Sequence, residues 1–244
     1  MRELDRSPYF KFSKAVRHTF DVTAAAEGFF RRDAAIHLVH PFKDCLGCDA
    51  YVTGFLEPIG TSFDSLHRRD DIVMAGTFAG DCWISATGYY AGHFMRDWIG
   101  IRAPERLCFL SYGEFHRMLD GGVVESFIFL DLPELMLSCG QRSIATGPSH
   151  GRGYAGLIPG PASCDGILRS GGDPAEADRS CQIVTDMLAR LATADESWRP
   201  NWHPDMVWYG PGAFGSLASI DQFAGFQVPF ESQFEGWSGG SSVN

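Results

Sequence analysis

The chain has 244 residues, 45% of them hydrophobic, and a formal net charge of −10. That is enough apolar material for one large domain or two ordinary ones, which excludes a wholly disordered chain. The acidic balance, with no basic run, argues against nucleic acid as a main partner.

Seven scattered cysteines, odd in number and irregularly spaced, do not make a secreted disulfide framework. No apolar leader core and no membrane-length apolar run is visible, so the expectation is a cytoplasmic protein that meets no membrane. Residues 12–32 carry Val16, Phe20, Val22 and Ala26 on one stripe, which predicts a helix. A short strand follows at 34–40, ended by Pro41. Residues 49–66 read as a second helix with Asp49 as N-cap and a kink or break at Pro58.

From 70 to 131 the pattern turns to strands. DDIVMAGTFAG (70–80) and CWISATGYYAGHF (82–94) form a first hairpin, WIGIRAPER (98–106) a loop, and 107–117 with 123–131 a second hairpin around Asp120-Gly121-Gly122. LPELMLSCG (132–140) closes this part with a turn or short helix. Residues 141–177 are rich in Gly, Pro and Ser and read as a wrapping linker, before another helix at 178–193.

Two segments match Gly-Phe-x-x-Pro-apolar-x-x-x-Phe, GFLEPIGTSF at 54–63 and GFQVPFESQF at 225–234, with a constant offset of 225 − 54 = 171. IHLVHPF (36–42) parallels MVWYGPG (206–212) one residue out of step. This pattern predicts a tandem duplication: a complete unit over 1–140, the linker at 141–177, and an incomplete second unit over 178–244 holding helices and a first strand only. The half-unit is then either part of something longer or packs on the first unit or on another chain.

The second hairpin carries the most chemistry. Strand side chains alternate, so Glu114 and His116 share a face with Tyr112, while Glu125 shares one with Phe127 and Phe129 and Asp131 follows at the strand's end. On the first hairpin Trp83, Ser85, Thr87 and Tyr89 share a face, with Tyr90 opposite. No Gly-x-Gly-x-x-Gly, phosphate loop, Gly-x-Ser-x-Gly or His-Glu-x-x-His is present. The C-x-x-C at 45–48 has no second pair at zinc spacing, so neither a cofactor nor a metal is expected.

The order helix, short strand, helix, long antiparallel strands resembles the nuclear transport factor two-like (cystatin-like) α+β fold. The residues Glu114, Phe115-His116-Arg117, Gly122-Val123-Val124-Glu125, Phe127 and Asp131 resemble the last hairpin of SnoaL-like polyketide cyclases, with Phe127 where that family usually has Trp. The resemblance covers roughly 14–140 well and 178–237 in part.

It implies a curved antiparallel sheet with helices on one face around a cone-shaped cavity. It also implies acid/base chemistry without a cofactor on a small hydrophobic carbonyl compound, of aldol, isomerase or dehydratase type. Glu114 would take the proton, its pKa raised by burial. Asp131, His116 and Tyr89 would assist, and Trp83, Tyr112, Phe127, Phe129 and His40 would line the substrate.

Each assignment has a plainer alternative. Glu114 can be a structural partner of Arg117 or His116, Asp131 a helix N-cap, Tyr89 and Trp83 core packing, and Glu125 a rim salt bridge. The competing function is a binding module of the same fold without catalysis. A homodimer through the sheet face, with Phe109 and Phe115 outward, fits either.

Overall fold

In the computed structural model, residues 4–18, 22–141, 166–191, 196–212 and 214–234 are described. Most of the linker expected at 141–177 falls outside them. The chain divides into one unit of Met1–Gly171 with Pro211–Phe214 and a second of Gly172–Gly210 with Gly215–Asn244.

The first unit is α+β. It begins with α1 (Ser7–His18) and α2 (Val22–Glu27), then β1 (Phe30–Leu38) and β2 (Cys45–Leu46). A helical run follows as α3 (Cys48–Tyr51), a π turn (Val52–Leu56) and α4 (Glu57–Ser62). Four long strands complete it, β3 (Phe63–Phe78), β4 (Asp81–Phe94), β5 (Arg106–Leu119) and β6 (Gly122–Leu130), before α5 (Leu132–Ser138). The six strands form one curved sheet in the order β2-β1-β6-β5-β4-β3, with only β1–β6 parallel. This is the layout expected from the sequence.

Both tight hairpins use the two-residue turn that right-handed strand twist favours, with both residues at positive φ. Asp120 and Gly121 have φ 51 and 83, and Ala79 and Gly80 have φ 52 and 84.

Three local expectations change. The helix expected over 12–32 stops at residue 27, because Phe30 is drawn into the sheet opposite Val123 and Phe29 packs face to face on Phe12 at 5.1 Å. Strand pairing and aromatic burial override the helical stripe there. The next helix is capped by Gly47, not Asp49. Gly47 takes φ 89, and a Cβ there would lie 2.6 Å from the Arg32 carbonyl oxygen. Pro58 does not break that helix either. The wider turn before it, with Glu57 N–H donating to Val52 C=O, carries the helix past the proline.

One sheet face buries the core. Inward residues of the strands, among them Ile36, Val73, Ile84, Tyr90, Leu110 and Ile128, meet Tyr9 and Phe12 of α1 and Tyr51, Phe55 and Ile59 of the helical run. The outward residues of β5 and β6 stay partly or half exposed.

The second unit holds α6 (Pro174–Leu191), a 3-10 turn (Arg199–Asn201), a two-residue pairing of β7 (Val207–Trp208) with β8 (Leu217–Ala218), and α7 (Ile220–Glu231). Its core is aromatic: Trp198 and Phe223 are buried, and Trp202 stacks on Phe223 at 5.0 Å. Pro229 lies inside α7.

Candidate functional site: a buried charge network and an open aromatic face

The inward face of β3, β4 and β5 carries a polar network in the middle of the apolar core. Arg68 on β3 is fully buried and forks onto Glu114 of β5, with its two terminal nitrogens 2.8 and 2.6 Å from Oε1 and Oε2. The same nitrogens donate to the Tyr90 hydroxyl at 2.8 Å and the Tyr9 hydroxyl at 3.0 Å. The guanidinium lies 4.1 Å from the centre of the Tyr112 ring.

Asp70, two residues along β3, accepts from Tyr9 at 2.9 Å, Tyr112 at 2.5 Å and Ser13 at 2.7 Å. His116 is also fully buried, with Nε2 3.3 Å from Glu114 Oε2 and Nδ1 2.8 Å from the Ser126 hydroxyl. The bidentate fork is the strongest ion-pair geometry that side chains offer.

This geometry reverses the electrostatics expected of Glu114. Burial alone would raise its carboxyl, as the sequence suggested, but the Arg68 guanidinium overrides burial and holds it at about 2. Glu114 is therefore a carboxylate with both oxygens engaged, and a poor general base. The tyrosines around it move the other way. Burial holds the hydroxyls of Tyr9, Tyr90 and Tyr112 above their ordinary value of 10, so they remain protonated donors.

The remaining expected residues do not gather around Glu114. Tyr112 does, as a wall of the network. Asp131 caps α5, accepting from Glu134 N–H at 2.9 Å. Tyr89 lies outward against Phe109, ring centres 5.7 Å apart. Trp83, Phe127 and Phe129 also lie outward, on the opposite side of the sheet from Glu114. His40 is exposed in the loop after β1. The first strand contributes His37 instead, stacked on Phe127 at 4.8 Å.

On that outward face Gly76, Thr77, Phe78, Trp83, Ser85, Phe115, Phe127 and Phe129 enclose a groove of about 550 Å³. Its rim carries a chain of ion pairs. His37 Nδ1 is 3.2 Å from Asp44 and its Nε2 3.5 Å from Glu125, and Arg117 is 3.0 Å from Glu125 and 3.6 Å from Asp81.

Two functional groups escaped the sequence reading. Arg68 sits in HRRDD (67–71), at the join between the helix read to 66 and the strand read from 70, and falls in neither. The signal was strand length, because a strand reaching residue 94 and joined to its partner by a two-residue turn needs that partner to run back well before 70. Glu134 is the other. It is fully buried on α5, accepts from Ser111 N–H at 2.8 Å through Oε2, and burial raises it to about 7. Among the described residues no group of three or more His, Cys, Asp or Glu is placed to hold a metal ion. No helix there is long and apolar enough to cross a membrane.

No family model and no curated protein matches the chain. Solved structures do. AclR of Streptomyces galilaeus, proposed as a hydroxylase, is 14% identical with a TM-score of 0.46, over 56% of this chain and 95% of its own. IdmH of Streptomyces antibioticus, proposed as a polyketide cyclase, is 14% identical with a TM-score of 0.47, over 56% and 98%. An NTF2-like protein of Burkholderia thailandensis is 17% identical with a TM-score of 0.44, over 58% and 99%.

Two predictions follow from the buried groups. Removing one partner of the ion pair leaves an uncompensated charge, so Arg68→Met or Glu114→Leu alone should cost about 3–5 kcal/mol. The double variant should lose much less than the two combined, as a double-mutant cycle by urea denaturation will read.

The second concerns pH. The folded Glu134 keeps its proton to about 7 and Asp71 to about 6, where their ordinary values are 4.5 and 3.8. In those windows the folded state holds more protons, so stability falls as pH rises. Glu114 contributes in the opposite sense: its stabilisation is present above its ordinary value of 4.5 and is lost as pH falls towards about 2. The melting temperature should therefore peak near pH 4, where the rise from Glu114 is met by the fall from Asp71, and Glu134→Gln should raise it at pH 8 and flatten its fall between pH 5 and 8.

Proposed function

We propose that the first unit is a small-molecule-binding module that does not use Glu114 as an acid or base. The observation that carries this reading is the Arg68 fork, which occupies both Glu114 oxygens and holds the carboxylate ionised. A proton-abstracting cyclase would need that carboxylate near neutrality and free on one side. The ligand would be hydrophobic and would occupy the outward groove, whose volume of about 550 Å³ suits a drug-sized molecule. No cofactor takes part in this reading, and its setting would be the cytoplasm.

The full chain should bind the neutral dye N-phenyl-1-naphthylamine with a rise in dye fluorescence. Phe127→Ala should weaken that binding about tenfold or more, the loss expected for one buried aromatic contact. Equal binding by Phe127→Ala and Trp83→Ala, with their melting temperatures unchanged, would sink the proposal.

A second occupant of the same face has its own support. Leu107, Phe115, Leu119 and Phe129 are each about half exposed, between 47 and 52%. That is more open apolar surface than one small ligand covers, and it suits an isologous contact with a second copy. Sedimentation velocity decides it. A dimer in the wild type that Phe115→Glu returns to monomer supports this reading, and a wild-type monomer at tens of micromolar removes it.

We also infer that the second unit descends from a duplication of the first. In support, Ala35↔Leu46 and Ile36↔Cys45 pair as Val207↔Ala218 and Trp208↔Leu217 do. The helix after each pair is capped at near-identical angles, φ 89 and ψ 156 at Gly47, φ 86 and ψ 151 at Ser219. The strand pair and the cap both give an offset of 172 (219 − 47), against 171 within the helices, so Ile36 corresponds to Trp208 rather than to the Met206 that the match of IHLVHPF with MVWYGPG gives. The π turn of the first unit holds the one extra residue.

A further inference from the structure

We propose that the ligand of the outward groove carries a basic nitrogen, as an aromatic or alkyl amine does. This rests on the binding reading above and names the ligand class of the same site.

The strand register places the groove's apolar wall and its charged rim side by side. Trp83 stands opposite Arg117, and Phe78 opposite Asp81. Phe127 stands opposite both Phe115 and His37, and Glu125 precedes it by two residues on the same face. The Trp83 and Phe127 rings lie nearly parallel, 6.4 Å apart, with the other face of Phe127 covered by His37. An apolar group entering between Phe78, Trp83 and Phe127 would end against Asp81 and Glu125.

Charge selects what that end can be. Among the described residues the paired rim holds three carboxylates, Asp44, Asp81 and Glu125, against Arg117 and His37, and Arg117 is shared between Asp81 and Glu125. The excess is negative whether or not His37 is protonated. Arg117 is hydrogen-bonded to Glu125 at 3.0 Å, but the pairs of Asp81 and Asp44 are loose. Asp81 and Asp44 have side chains 49% and 71% exposed and contacts of 3.2–3.6 Å, and such solvated pairs are worth little. A ligand ammonium can therefore take over one carboxylate at small cost, and the electron-rich faces of Trp83 and Phe127 add to its attraction. A ligand carboxylate would meet the same rim with repulsion.

Titration calorimetry on the full chain with tryptamine, indole and indole-3-acetate tests this. Tryptamine should bind about tenfold or more tightly than indole, with indole-3-acetate weakest. The preference for tryptamine over indole should shrink as salt rises from 0.05 to 0.5 M. Asp81→Asn with Glu125→Gln should bring tryptamine down to the affinity of indole. If indole binds and tryptamine binds no better, or indole-3-acetate binds best, the amine assignment fails while the binding module stands. If none of the three probes binds, both fall.

Discussion

The Arg68–Glu114 fork is the constraint around which the first unit is organised. A guanidinium and a carboxylate in an apolar core are each costly, and they survive there because both Glu114 oxygens and both terminal nitrogens of Arg68 are matched to specific neighbours, while Arg68 Nε, without a hydrogen bond, lies 3.5 Å from Asp70 Oδ1. That requirement fixes relations that hydrophobic burial leaves loose. Arg68, opposite Tyr90 of β4, must reach diagonally to Glu114, which stands opposite Ala86, so a slip of β3, β4 or β5 would break the fork. Tyr9 must reach both Arg68 and Asp70, so α1 has one seat on the sheet. Arg17 adds a second tie, donating to the Arg68 carbonyl at 2.8 Å. The network thus contributes uniqueness of packing more than net stability.

The same constraint decides where chemistry can happen. A fold of this layout offers two sheet faces, and the inner one is where a desolvated acid would gain a pKa near neutrality. Here the inner carboxylate has an Arg partner, and Coulomb attraction at 2.6–2.8 Å outweighs desolvation. The interior becomes a structural centre. Open aromatic surface and loosely paired charges lie on the other face, so recognition is best sought there. Strand β5 shows the division residue by residue: Glu114 and His116 face the core while Phe115 and Arg117 face out.

The sequence was legible where period-two alternation was clean. The second hairpin, its Asp-Gly turn and the closing short helix could all be read from it, whereas Trp83 and Phe127, expected to line the substrate with Glu114, lie on the opposite face. What could not be read was pairing across the sheet. Arg68 and Glu114 are 46 residues apart, and nothing local in HRRDD marks an arginine for burial. The bulge between Asp70 and Ile72 also breaks the alternation there. Without that partner, Glu114 in an aromatic setting can only be read as a desolvated acid. The resemblance to cyclases pointed the same way, because it matched the strand that carries the carboxylate and said nothing about the strand that neutralises it. Glu134 was hidden for a different reason: on a helix of seven residues no periodicity exists to show which side faces in.

Burial and charge pairing pull Glu114 and Glu134 apart although both lie in the same unit and both are withdrawn from water. Glu114 has a cation on both oxygens and stays ionised. Glu134 has one backbone N–H on one oxygen and no hydrogen bond to the other, so desolvation prevails and its proton is held to about 7. Burial alone therefore does not identify an acid/base residue in this fold. The deciding quantity is how many charged or donor groups remain to meet the carboxylate once water has gone. By that criterion Glu114, with Arg68 on both oxygens, is a poor proton acceptor, although it is buried as deeply as Glu134.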